Sequence, residues 1–69
     1  MPEIARIAQT FAERRVTLRL TQQNLADLAG VSRYSIQSLE RGTGSTKINS
    51  VVEIAEILGM RIEVTATSE

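Results

Sequence analysis

Two glycines, Gly30 and Gly42, divide the middle of this sequence into two short segments with helical periodicity. Glycine readily adopts the positive φ that commonly ends a helix. Thr21 and Ser32 stand at the starts of the two segments, and both residue types accept hydrogen bonds from amides of a first helical turn. The pattern predicts one helix from Thr21 to Gly30 and another over about residues 32 to 41.

Apolar and small residues in this region occupy the positions that two crossing helices require. A small residue is needed where the helices cross, a glycine in the turn, and apolar side chains beneath. The matching residues are Leu25, Ala26, Ala29, Gly30, Val31, Ile36 and Leu39. We also expect Leu28 to lie on the inner face of the first of these helices. The spacing therefore predicts two short helices packed at a fixed angle.

A further helix is predicted over about residues 3 to 17. Its apolar stripe has the i, i+3, i+4, i+7 spacing of an amphipathic helix and consists of Ile4, Ile7, Ala8 and Phe11. One more turn along this stripe leads to Arg15, so a charged side chain is expected at the edge of the core.

A fourth helix is predicted to begin between Thr46 and Ser50 and to end at Gly59. Ser50 and Glu53 have the spacing of a capping box. We expect its inner stripe to consist of Ile48, Val51, Val52, Ala55 and Leu58.

The segment from Met60 to Thr67 alternates between apolar and polar residues, which is typical of a strand. A lone strand in a helical chain leaves its backbone groups unpaired. We therefore expect two copies of the chain to form a two-stranded ribbon, with Met60, Ile62 and Val64 at the dimer contact. The alternative is a frayed tail held by Ile62 alone.

Composition excludes several classes of protein. The chain has 69 residues, which suits one domain over residues 1–69, and it has neither cysteine nor histidine. Disulfides, thiolate metal sites and the commonest general base are therefore missing. The sequence contains no apolar run of membrane-spanning length. From its first residues we expect no signal peptide. We expect a cytoplasmic, non-enzymatic protein without metal or cofactor.

Charge is unevenly distributed, although the net charge is zero. Residues 14 to 47 contain six basic and two acidic side chains, a formal charge of +4, whereas residues 48 to 69 contain one basic and four acidic, a formal charge of −3. Because nucleic-acid-binding proteins usually carry a basic patch, the first region is the candidate for such contacts.

The sequence resembles the Cro and phage-repressor type of helix-turn-helix proteins, also called the xenobiotic-response-element family, over roughly residues 4 to 59. The resemblance rests on Leu20-Thr21-Gln22 with Leu25-Ala26, on Ala29-Gly30-Val31-Ser32, on Ile36 with Leu39-Glu40-Arg41-Gly42, and on Ile54-Ala55-Glu56 with Leu58-Gly59. One position departs from the family, which usually has glycine where Arg19 stands. We expect either an unusual turn after the first helix or an Arg19 side chain that faces phosphate.

The helix-turn-helix is predicted over about residues 21 to 42, with its second helix in the major groove of DNA. The face opposite Ile36 and Leu39 is polar and free of carboxylates, and arginine and glutamine can bond guanine and adenine there. The candidate base-reading residues are Arg33, Tyr34, Gln37 and Ser38. Without the helix-turn-helix pattern around it, this face would equally suit an ordinary solvent-exposed helix surface.

Phosphate contacts are expected beside the base-reading helix. Gln22 lies in the first turn of its helix, where free backbone N–H groups can bind phosphate. The other candidates are Arg41, Thr43, Ser45 and Lys47. The family resemblance also implies a structural salt bridge between Arg15 and Glu40, which would hold the recognition helix.

Together these features predict an all-α, four-helix repressor-type domain with a short C-terminal β-strand paired across a homodimer. Such a dimer would repress transcription from an inverted-repeat operator whose half-sites lie about one turn apart, and autoregulation is typical of this type. A different function is also open. The C-terminal strand resembles that of HipB-like antitoxins, and the acidic C-terminal half would suit neutralisation of a toxin protein, with DNA binding secondary.

Overall fold

The computed structural model describes residues 2–68. It contains four α-helices, which confirms the predicted all-α class: α1 (Pro2–Thr17), α2 (Gln22–Ala29), α3 (Arg33–Arg41) and α4 (Ile48–Ile57). None of the helices in this range has both the length and the apolar character needed to cross a membrane.

The helix starts predicted at Thr21 and Ser32 are confirmed. The Thr21 hydroxyl accepts a hydrogen bond from the Asn24 backbone N–H at 3.0 Å, and the Asn24 side-chain oxygen accepts one from the Thr21 N–H at 3.2 Å. At the start of α3, the Ser32 hydroxyl accepts from the Ser35 N–H at 3.1 Å. Because these bonds satisfy amides that a helix start leaves free, both helices begin where the sequence predicts.

A single apolar core lies between the helices. In this arrangement α2 packs against α3 and α4, while α1 packs against α3. The buried cluster consists of Phe11, Leu25, Ala26, Ile36, Leu39, Ile54, Ala55 and Leu58. Since every helix contributes to this cluster, the angle between α2 and α3 depends on the whole domain rather than on the turn alone.

Gly42 is required at the end of α3 for two reasons. Its φ is +72°, which disfavours a side chain. A Cβ at this position would also lie only 3.4 Å from the Ala8 Cβ and 3.6 Å from the Ala5 Cα. The close contact lets α1 cross directly over the end of α3.

Four apolar side chains that the sequence placed on inner faces are exposed. Leu28 on α2 is 58% exposed, Ile48 on α4 is 70% exposed, and Ile7 on α1 and Val52 on α4 are each 38% exposed. The buried residue on α4 that the predicted stripe missed is Ile54. Periodicity finds a helix and its approximate apolar arc, but the packing of α2 against α4 selects which residues in that arc are buried.

The predicted capping box at Ser50 and Glu53 is wrong. Helix α4 begins at Ile48, within the predicted range, and Lys47 is its N-cap residue without a side-chain cap bond. Ser50 is therefore the third residue of α4 and not its N-cap residue, so it cannot form a capping box with Glu53.

The predicted strand does not form within the described part of a single chain, where residues 60 to 68 form neither a strand nor a helix. Met60 packs against the protein's own core, and its N–H donates to the Ala55 carbonyl at 2.8 Å. Ile62 and Val64 are 40% and 93% exposed. A ladder needs a neighbouring strand, and no other segment of residues 2–68 is extended beside this one.

Replacing Ile54 by alanine should reduce the free energy of unfolding by about 2 to 5 kcal/mol, because it leaves a cavity in the core. The matched control is Ile48→Ala, the same chemical change at an exposed position of the same helix. Urea denaturation of both variants measures the difference. Equal midpoints for the two would contradict the assignment of the buried face of α4.

Candidate nucleic-acid interface

The outer face of α3, defined as Arg33, Tyr34, Gln37 and Arg41, lies opposite the side that packs into the core. Ile36 is fully buried, whereas Tyr34 is 65% exposed, Arg33 and Arg41 are exposed, and Gln37 is half-buried. None of these four side chains forms a hydrogen bond or ion pair with another residue of the range 2–68. The face therefore presents free donors and no carboxylate.

Ser38 does not lie on this face, contrary to the sequence prediction. It is 2% exposed, and its hydroxyl lies 2.7 Å from that of Thr43 and 2.8 Å from that of Ser45. The loop after α3 folds back over this residue and takes up its hydrogen-bonding capacity. Ser38 thus holds the loop and is not placed to contact a base.

The loop between α3 and α4 is fixed by a ring of three hydroxyls. The hydroxyl oxygens of Thr43 and Ser45 lie 2.8 Å apart, and each is hydrogen-bonded to the Ser38 hydroxyl. Thr43 and Ser45 remain exposed at the residue level, so the loop is accessible although its hydroxyls are already bonded. Lys47 and Tyr34 line the same shallow groove beside this loop. The ring places an exposed lysine next to the outer face of α3.

Arg15 and Glu40 form a two-bond ion pair. Arg15 Nε and Nη2 donate to the two carboxylate oxygens of Glu40 at 2.7 and 3.1 Å, and the side chains are only 16% and 10% exposed. The hydrogen bond with Glu40 raises the pKa of Arg15 although burial acts in the opposite direction. The single carboxylate of α3 is thereby turned away from the outer face.

The same ion pair joins three elements of the fold. Arg15 Nη1 donates to the Leu20 carbonyl at 2.8 Å, in the turn after α1, and Gln22 Nε2 donates to Glu40 at 3.0 Å from the start of α2. Gln22 is predicted from the sequence to contact phosphate. In the structure it is half-buried, and one of its amide hydrogens bonds Glu40. We call Arg15, Gln22 and Glu40 the Glu40 network.

Arg14 has a structural role that the sequence analysis did not assign. Its Nε donates to the Leu58 carbonyl at 2.7 Å and so ties the end of α1 to the end of α4. Nothing in the spacing of the sequence distinguishes Arg14 from a solvated arginine, because its partner is a backbone carbonyl 44 positions away.

Comparison with known proteins agrees with this geometry. A family model described as helix-turn-helix matches residues 11–64, which is most of the chain and includes α2, α3 and the turn between them. The chain belongs to the Cro/C1-type helix-turn-helix family. No curated protein matched the sequence.

Membership gives the general function. The helix-turn-helix family consists of DNA-binding domains that regulate transcription and is not an enzyme family. In such domains the second helix of the motif enters the major groove, and the first crosses the DNA backbone. In this helix-turn-helix protein the first helix of the motif is α2 and the second is α3.

Replacing Arg15 by methionine should reduce the free energy of unfolding by about 3 kcal/mol, because the Glu40 carboxylate stays largely buried with Gln22 as its main partner. The control is Arg6→Met, which removes an arginine of the same helix from an exposed ion pair with Glu3. Thermal melts of both variants measure the effect. If Arg15→Met and Arg6→Met have the same melting temperature, the ion pair between Arg15 and Glu40 does not stabilise the fold.

Proposed function

We propose that this protein is a homodimeric transcriptional repressor that reads an inverted-repeat operator with Arg33, Tyr34 and Gln37. The observation that carries the proposal is the outer face of α3, where the donors have no partner among residues 2–68 while the helix's only acid is bonded to Arg15. Arginine bonds guanine through two donors, and glutamine bonds adenine in a similar way.

Phosphate contacts are proposed on both sides of α3. Arg41 and Lys47 are exposed and without partners in the described residues, which supports their binding to the DNA backbone. Thr43 and Ser45 have bonded hydroxyls, so their contribution would come through the shape of the loop and through backbone N–H groups. Gln22 keeps one amide hydrogen beyond the bond to Glu40 and lies in the first turn of α2.

Dimerisation is proposed through the segment after α4. Val64 and Ile62 expose apolar surface, and the backbone of residues 61 to 68 forms no hydrogen bond within the described chain, so it is available to pair with a second strand. Met60 supports the segment from inside rather than joining the contact. A two-fold axis at this ribbon would set two copies of α3 on successive major grooves, about 34 Å apart.

A second candidate function is antitoxin activity. The exposed apolar side chains of the C-terminal segment stand in a region with a formal charge of −3, which would suit a basic protein partner. A second copy of the chain is the better-supported occupant, because pairing of like strands satisfies the backbone as well as the side chains.

Arg33→Ala should lose discrimination at one base pair in each half-site of an operator selected from a random DNA pool by the wild-type protein. The expected loss is about 1 to 3 kcal/mol for each half-site of the selected duplex, with little change on random duplex. Lys47→Ala should instead weaken binding to both duplexes alike, and fluorescence anisotropy titrations measure both effects. Identical behaviour of the two variants on the two duplexes would remove the distinction between base and phosphate contacts.

Val64→Asp should convert the dimer to monomers, because it places a charge within the proposed ribbon. Operator affinity should fall by more than ten-fold, since the second half-site is then no longer bound intramolecularly. Thr65→Asp, one residue along on the opposite face of the strand, is the matched control. Light scattering that finds the wild-type protein monomeric at micromolar concentration would overturn the ribbon.

A further inference from the structure

The basic side chains fall into two groups according to their partners. Within residues 2–68, four of the eight lysine and arginine side chains bond to protein acceptors: Arg6, Arg14, Arg15 and Arg61. The other four have no protein partner in that range and all lie between positions 19 and 47: Arg19, Arg33, Arg41 and Lys47. Three of these belong to the proposed DNA interface, and Arg19 is the fourth.

Arg19 has an unfavourable backbone conformation. Its φ is +61°, and no other non-glycine residue in the described chain has a positive φ. The conformation closes the end of α1: the Leu20 N–H donates to the Arg15 carbonyl at 3.1 Å, and the Arg19 N–H donates to the Val16 carbonyl at 2.9 Å. This is the Schellman arrangement, in which glycine is normally preferred.

The other three helices end in the same arrangement and have glycine at the corresponding position. These residues are Gly30, Gly42 and Gly59, with φ of +69°, +72° and +74°. An L-residue with a side chain is strained there. The end of α1 therefore differs from three equivalent turns by a side chain that strains the turn and forms no hydrogen bond or ion pair within the described residues.

The main chain at Arg19 is also held firmly beside the DNA-facing helices. Arg15 binds the carbonyl of Leu20, the next residue, and Gln22 is bonded to Glu40 of α3. Thr21 caps α2 two residues after Arg19. The exposed guanidinium thus leaves the protein from a rigid turn adjoining the Glu40 network.

We propose that Arg19 binds a phosphate of the DNA backbone next to the bases read by α3, and that this contact offsets the strain of the turn. The inference rests on the proposed DNA binding and extends it to a residue outside the α3 and loop contacts. A guanidinium suits this role because it donates to phosphate oxygens through a planar pair of N–H groups.

The test compares stability with the salt dependence of DNA binding. Arg19→Gly relieves the strain and removes the charge, so Tm should rise by about 4 to 8 °C. Because the proposed dimer carries two copies of Arg19, affinity for the selected operator and for random duplex should both fall about a hundred-fold at about 50 mM salt, and the slope of log affinity against log salt should shrink by about 1.8. Arg6→Ala, which removes an arginine paired with Glu3 on α1, is the charge-matched control outside both the DNA face and the C-terminal segment, and it should keep the full slope.

A second pair of variants separates charge from strain. Arg19→Lys should keep the wild-type slope, whereas Arg19→Gln, which is uncharged and equally strained, should reduce the slope by about 1.8. If Arg19→Gly and Arg19→Gln bind with the wild-type slope, the phosphate contact is overturned while DNA binding stands. If the wild-type protein itself binds no duplex at low salt, the proposed function fails together with this inference.

Discussion

The ion pair between Arg15 and Glu40 is the constraint on which the arrangement of this domain depends. It joins the last turn of α1 to α3. Arg15 also bonds the Leu20 carbonyl in the turn after α1, and Glu40 also bonds Gln22 at the start of α2. Removal of one partner from a largely buried pair leaves an uncompensated charge, so the three elements are coupled. The pair also keeps a negative charge off the outer face of α3, where it would repel DNA phosphates.

Hydrogen bonding outside this pair decides which side chains remain available to a ligand. Ser38, Thr43 and Ser45 bond to one another and hold the loop against α3. The side chains left free on and beside α3 are then longer ones, chiefly arginine, lysine and tyrosine. A surface of this kind suits DNA because its donors can reach base edges and phosphates without first breaking bonds within the protein.

The domain is small, and its C-terminal segment adds little to the core beyond Met60. Residues 61 to 68 are exposed, including the apolar Ile62 and Val64. A chain of this length buries only about 60% of the surface its unfolded form exposes. A second copy paired along this segment would bury more apolar surface and would set the distance between two α3 helices, so that stability and operator spacing would come from the same contact.

Local chemistry in the sequence determined the helices and the turn. Thr21 and Ser32 mark the starts of α2 and α3, glycines mark three of the four helix ends, and the apolar spacing shows that α2 and α3 cross. These features depend on residues within a few positions of one another, so they can be recognised without the fold. The charge asymmetry, likewise, is a property of composition along the chain.

Only the tertiary structure decided which way individual side chains face and which partners they find. Ser38 lies at a position that helical geometry places near the outer face, yet a loop five to seven residues later covers it. Leu28 and Ile48 fit apolar stripes but are exposed, while Ile54 is fully buried. Arg14 and Arg19 are both arginines near the end of α1, yet one bonds the Leu58 carbonyl and the other has no partner in the described chain. Periodicity limits a residue to an arc of a helix, whereas contacts between distant segments select the residue and the partner within that arc.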